Sequence, residues 1–135
     1  MNPIMNSNTS GILVVKPRAA ELTYKSHRIV KMDPYCQVCV GVSCHETDIA
    51  KKKGQTPNWE DVLTFGVTKN DLYVIIKIFD KNRLRADDFL GEAEIPLDFV
   101  RQNLTSDAWY RLTRGAKDIG KILVVLEFTS SQLAN

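Results

Sequence analysis

Cys36, Cys39, Cys44 and His45 crowd into ten residues, and Cys36-Gln37-Val38-Cys39 spells C-x-x-C, the spacing of a zinc knuckle or a dithiol redox pair. Either chemistry needs both sulfurs on one side of the chain. The surrounding segment alternates and is rich in β-branched residues, residues three apart on a strand point to opposite faces, and nothing turn-like separates the two cysteines. The three thiols are therefore expected to be small buried hydrophobes in a reducing compartment, their odd number fitting unpaired cysteines.

Catalytic groups are sparse. The only histidines are His27 and His45, and there is no G-x-S-x-G, no Gly-rich phosphate loop and no Cys–His pair with a reason to converge. The chain is expected not to be an enzyme and to have no small-molecule substrate, since it also lacks a pocket-forming insertion.

Positive charge is the remaining chemical resource, and its placement depends on the elements that carry it. Eight apolar, β-branched runs recur at regular spacing: Gly11 to Lys16, Pro34 to Val42, Ser43 to Ala50, Trp59 to Val67, Leu72 to Asp80, Phe89 to Ile95, Ala108 to Leu112 and Lys121 to Thr129. In the fifth, Leu72, Val74, Ile76 and Ile78 share one face while Tyr73, Ile75, Lys77 and Phe79 share the other, a period of two that means strand. Only Leu97 to Leu104 has helical spacing, which predicts a turn or two of helix between the sixth and seventh strands. The pattern predicts an all-β, eight-stranded antiparallel sandwich.

Three connections, Thr23 to Pro34, Ala50 to Trp59 and Asp80 to Phe89, are longer than tight hairpins. They follow odd-numbered strands, so in an antiparallel meander all three leave from the same end. Together they hold nine basic residues (Lys25, Arg28, Lys31, Lys51, Lys52, Lys53, Lys81, Arg83, Arg85) and four acidic ones (Asp33, Asp80, Asp87, Asp88). The net +2 of the chain thus divides into +5 on these connections and −3 elsewhere. A basic end gains about 1 kcal/mol per Lys or Arg near an anionic leaflet. Nucleic acid is not the expected partner, because base stacking wants aromatics among the cations and, apart from the bounding Trp59 and Phe89, these segments contain only Tyr24.

With 135 residues, 44% hydrophobic and 25% charged, the composition is that of one folded domain. No basic n-region with an apolar stretch opens the chain, no window of about 18 apolar residues exists, and no lipidation motif is present, so a cytoplasmic protein that meets membranes reversibly is expected.

The segments Met32-Asp33-Pro34-Tyr35-Cys36, Gln55-Thr56-Pro57-Asn58-Trp59-Glu60, Ile78-Phe79-Asp80 and Asp88-Phe89-Leu90-Gly91-Glu92 resemble the C2 domain family. The resemblance covers residues 11–129, leaving a polar tail at 1–10 and a short one at 130–135, and implies the circularly permuted, phospholipase-type strand order. The wording is most similar to stand-alone C2 proteins of plants and protists and to the C2 domain of Toll-interacting protein. It implies that Trp59 and Pro57 are core and turn residues; Trp109 and Tyr110 are expected to cap the core.

In calcium-binding members five aspartates ring the site. By this resemblance Asp33, Asp80 and Asp88 match three of them, whereas His27 and Asn82 stand where the other two would be. What remains is at best a weak or vestigial calcium site of Asp33, Asp80, Asn82 and Asp88, opposed by the field of Arg28, Lys31, Lys81, Arg83 and Arg85. No cofactor is therefore expected to be required. The resemblance also places apolar tips at Leu84 and at Ile29 and Val30, where membrane-binding members insert a side chain, although Ile29 and Val30 could equally fold back beneath their loop. The resulting expectation is a module that binds anionic phospholipid or phosphoinositide membranes through Lys25, Arg28, Lys31, Lys51, Lys52, Lys53, Lys81, Arg83, Leu84 and Arg85, without calcium. The alternatives are a protein-binding or structural subunit of a cytoskeletal or other intracellular assembly and, second, weak calcium-dependent lipid binding.

Overall fold

Alternating apolar residues become strands throughout the computed structural model, which describes residues 9–23, 32–50 and 54–131. In chain order the elements are β1 (Gly11–Leu22), β2 (Pro34–Val40), β3 (Ser43–Glu46), β4 (Leu63–Val67), β5 (Tyr73–Asp80), β6 (Asp88–Pro96), α1 (Asp98–Asn103), β7 (Thr105–Arg114) and β8 (Lys117–Ser130). Every pairing is antiparallel, in the spatial order β3-β2-β5-β6-β7-β8-β1-β4. β6 and β7 meet through the single pair Glu92 and Thr113, so the order divides there into two four-stranded layers.

The core lies between the layers and takes one parity from each strand. Val74, Ile76 and Ile78 of β5 are fully buried, as are Leu13 and Val15 of β1, Leu112 of β7, and Ile122 and Val124 of β8. Their neighbours of opposite parity face outward, which is what a sheet with one dry side requires. Burying a Leu, Ile or Val of this kind contributes about 1.5–3 kcal/mol each.

The helix has the expected place and length. Val100 turns inward, and Leu104, at φ 70°, closes the last turn by donating its N–H to the Val100 carbonyl. Arg101 is buried beside it, donating to the carbonyls of Thr9 at 3.2 Å, Asp71 at 2.6 Å and Thr68 at 2.6 Å, with Phe128 under its guanidinium. Burial lowers the pKa of this guanidinium. The clamp ties the start of the described chain, the β4–β5 connection and α1 together at the pole opposite the long connections.

Several strand bounds differ from those expected. β1 runs past Pro17 to Leu22 because a register shift between Pro17 and Ala19 accommodates the missing N–H. β4 starts at Leu63 rather than Trp59; the chain before it is held by the Ala19–Asn58 bridge and by the Trp59 N–H, which donates to the Arg18 carbonyl. β3 ends at Glu46, and β7 and β8 extend to meet at a two-residue turn.

The thiol expectation is corrected. Cys39 and Cys44 are disulfide-bonded, and only Cys36 is a free cysteine among the described residues, buried as expected. The β2–β3 hairpin explains the pairing: its turn uses Gly41 at φ 59°, and the register sets Cys39 directly opposite Cys44 with Cα atoms 4.1 Å apart. Cys36 and Cys39 do lie on opposite faces, so the C-x-x-C spacing is incidental and the cross-strand residue is the real partner. His45 packs its ring 4.8 Å from Phe65, and no metal-holding group of His, Cys, Asp and Glu occurs among the described residues.

Candidate functional site

Antiparallel pairing sends every odd-numbered connection out at one end, and backbone hydrogen bonds stitch the described parts of the long ones there. Lys81 donates its N–H to the Asp33 carbonyl at 3.0 Å, Gly54 to Met32 at 3.2 Å and Leu22 to Gln55 at 2.8 Å. Met32 and Ala50 are buried beneath this end, and the indole N–H of Trp59 donates to the Pro34 carbonyl at 3.3 Å. Trp59, 5% exposed, is thus a core residue holding the floor of the connections in place, with Pro57 buried at the turn before it.

The β5–β6 connection, residues 81–87, stands on an aromatic ladder. Tyr35, Phe79 and Phe89 occupy consecutive register positions on β2, β5 and β6, with ring centroids 5.6 Å apart at each step. Above them the loop is organised around Asp87. Its carboxylate accepts a short hydrogen bond from the Tyr35 hydroxyl and another from the Asn82 N–H at 2.9 Å, and pairs with Lys81 at 3.8 Å. These interactions, the Tyr35 bond first, hold the Asp87 carboxyl below its ordinary pKa, while burial and Asp87 push the Tyr35 phenol far above its own. The Asn82 side-chain oxygen accepts the Leu84 N–H at 3.1 Å, turning the chain so that Leu84 stands at the tip, 96% exposed between Arg83 and Arg85.

The four residues aligned with calcium ligands fall in this neighbourhood. Asp80 pairs in register with Asp88 and accepts the Asp33 N–H at 2.9 Å. Its pKa is raised, first by burial and then by the charges of Asp88, Asp33 and Asp87, against the lowering effect of the Asp33 N–H. Asp88 is paired with Arg85 at 3.5 Å, and Asn82 has spent its oxygen on Leu84. Among the described residues no group of three or more His, Cys, Asp and Glu side chains is placed to hold a metal ion; the Asn82 oxygen accepts a hydrogen bond within its own loop and the Asp88 carboxylate faces Arg85.

Lys81, Arg83, Leu84 and Arg85 are all exposed on this loop. Lys25, Arg28, Lys31, Lys51, Lys52 and Lys53 lie outside the described residues, as do His27, Ile29 and Val30. One aromatic expectation fails. Trp109 does not cap the core but faces out, 42% exposed, with the Lys121 ammonium 4.7 Å from its ring centroid. Parity signals this in the sequence, since Trp109 shares its face with Arg111 whereas Tyr110 and Leu112 share the other. Sequence reasoning also passed over the β7–β8 hairpin, whose tight turn at Gly115 and Ala116 is the fourth odd-numbered connection and brings Arg114 and Lys117 to the same end.

Comparisons with known proteins agree with this architecture. A family model described as "C2 domain" matches residues 11–112. The 16 kDa phloem protein 2 of Arabidopsis thaliana is 34% identical over 103 residues, covering 75% of this chain and 69% of its own. The solved structure of a C2 domain-containing protein from a putative elicitor-responsive gene superposes with a TM-score of 0.82 at 29% identity, covering 96% of both chains. The calcium-bound tandem C2 domains of Extended-Synaptotagmin 2 superpose with a TM-score of 0.76 at 28% identity, over 90% of this chain and 46% of that one.

Proposed function

The chain belongs to the C2 domain family, whose members commonly bind membrane lipids or proteins, and on that premise we propose that it is a non-enzymatic module that docks on anionic phospholipid membranes through its basic end without calcium. The observation that carries this reading is Leu84: a leucine 96% exposed at a loop tip, fixed there by the Asn82 turn and ringed by Lys81, Arg83 and Arg85. An apolar side chain in that setting has nothing to bury against within the described domain, but has a favourable place at a lipid interface where the cations meet headgroups.

Calcium independence rests on how the loop is braced. Tyr35, Lys81 and the Asn82 N–H hold Asp87, and Arg85 compensates Asp88, doing internally what a metal does in calcium-bound members. One observation favours a second reading, weak calcium-dependent binding: Asp80 is half-buried and faces three other carboxylates, a field that a divalent cation would relieve. Sedimentation with phosphatidylserine vesicles, with calcium and with chelator, separates the two. Equal binding in both supports the proposal; binding only with calcium supports the second reading; no binding at low salt in either overturns both.

A further inference from the structure

A groove of about 390 Å³ opens between β1, β7 and β8, at the same end of the sandwich as Leu84. Its polar groups come from three strands: Glu21 of β1, Trp109 and Arg111 of β7, Asp118 and Lys121 of β8. Gly120 makes it possible, because at φ 134° and with the Glu21 carbonyl where a side chain would start, only glycine lets β1 and β8 lie this close. None of these residues belongs to the binding set read from the sequence.

The groove combines three features. The exposed indole of Trp109 offers a flat apolar wall, with Lys121 4.7 Å from its centroid. Arg111 and Lys121 are each held by one carboxylate, Asp118 at 3.4 Å and Glu21 at 3.7 Å, in pairs at least half exposed. Such pairs are weak, and a phosphate dianion offers a guanidinium better bidentate geometry than an exposed carboxylate does. Arg114 and Lys117, at the turn of the same β7–β8 hairpin, are exposed and have no ion pair among the described residues. The volume falls in the range of about 300–1,000 Å³ usual for ligand sites.

We propose that this groove binds the multiply phosphorylated headgroup of a phosphoinositide, its ring against Trp109 and its phosphates on Arg111 and Lys121. The inference rests on the membrane reading for its setting: Leu84 and the long connections supply contact with any anionic surface, and the groove supplies preference for one headgroup.

Two double variants isolate the groove from bulk charge, because Arg111→Gln with Asp118→Asn, and Lys121→Gln with Glu21→Gln, each remove an opposite pair and leave the net charge unchanged. Full-length protein is titrated with phosphatidylcholine vesicles carrying either phosphatidylserine or phosphatidylinositol bisphosphate at matched surface charge. Each double variant, and Trp109→Ala, is expected to bind the phosphoinositide vesicles roughly tenfold more weakly while phosphatidylserine binding stays within about twofold. Unchanged phosphoinositide binding, or an equal loss on both vesicles, overturns the proposal and leaves the membrane reading standing. If the unaltered protein binds neither vesicle, the membrane reading fails, and tryptophan fluorescence decides the groove alone. Soluble inositol trisphosphate quenching Trp109 in the unaltered protein but not in the Arg111/Asp118 variant supports the site, and the absence of quenching overturns it. Thermal melts confirm that each variant folds, and should one misfold, the other and Trp109→Ala remain as the test.

Discussion

Replacing Leu84 with serine separates binding from folding. Leu84 is 96% exposed, so its side chain makes almost no contact in the free protein, and the substitution should move folding stability by no more than about 0.5 kcal/mol. The Asn82 turn that presents it uses the Leu84 backbone N–H, which serine keeps. On the membrane the accounting reverses. Burying a leucine side chain contributes about 1.5–3 kcal/mol, so its loss should weaken partition onto phosphatidylserine vesicles between about ten- and a hundredfold. The charge is unchanged, and the deficit should therefore be the same at low and high salt. Replacing Arg83 and Arg85 with glutamine should instead cost about 1 kcal/mol each, most at low salt and fading as the Debye length shrinks. Vesicle titration at two ionic strengths, alongside urea melts, measures all three quantities. Less than a twofold loss for Leu84→Ser on vesicles that the unaltered protein binds would refute insertion, as would a loss that tracks its stability.

Arg101→Met should destabilise the domain by about 2–4 kcal/mol in urea melts, because it strands three carbonyls beneath the opposite pole; a change near zero would show that water replaces the clamp. Asp80→Asn keeps an oxygen for the Asp33 N–H while removing a charge whose folded pKa lies above its ordinary 3.8. A raised carboxyl destabilises when ionised, so the variant should melt higher at pH 7. That advantage should shrink as pH falls through the raised folded pKa and protonates the native aspartate, and an advantage independent of pH would refute the repulsion. Alkylation followed by mass spectrometry should modify no cysteine quickly without reductant; after reduction the exposed Cys44 should react first and buried Cys36 last. Loss of the short cross-link should cost about 2 kcal/mol of stability in the chain-entropy picture.

Much of the sandwich is legible in strand parity. The run from Leu72 to Asp80 declares a strand, and Val74, Ile76 and Ile78 are indeed fully buried, because one-sided burial and a two-residue period leave little freedom in which residues go inside. The helix between β6 and β7 follows similarly from Leu97, Val100 and Leu104. Spacing without pairing misleads in two places. Cys36 and Cys39 look like partners along the chain, while the hairpin register puts Cys44 against Cys39. The bulk of Trp109 suggests a core position, although its parity with Arg111 argues otherwise.

The residues aligned with calcium ligands show a different limit. Charge counting identifies a crowded set of carboxylates and cations on residues 80–88, but not their assignments. That Tyr35, 52 residues earlier in the chain, braces Asp87, and that Asn82 spends its oxygen on Leu84, are consequences of β2 lying beside β5 and of one tight turn.

Composition and periodicity by themselves determined that this chain makes an all-β domain with positive charge concentrated in the connections after odd-numbered strands, because those properties are local and repeat every two residues. Tertiary structure alone decided which side chains share a site. Trp109, Arg111, Asp118 and Lys121 share the β7–β8 hairpin, but Glu21 lies 88 residues before Trp109 in the chain, and only the register of β1 on β8 brings it to their groove. The hairpin register is set by its own turn, whereas the β1–β8 register is long-range, selected by the packing of two whole layers, and no local spacing encodes it.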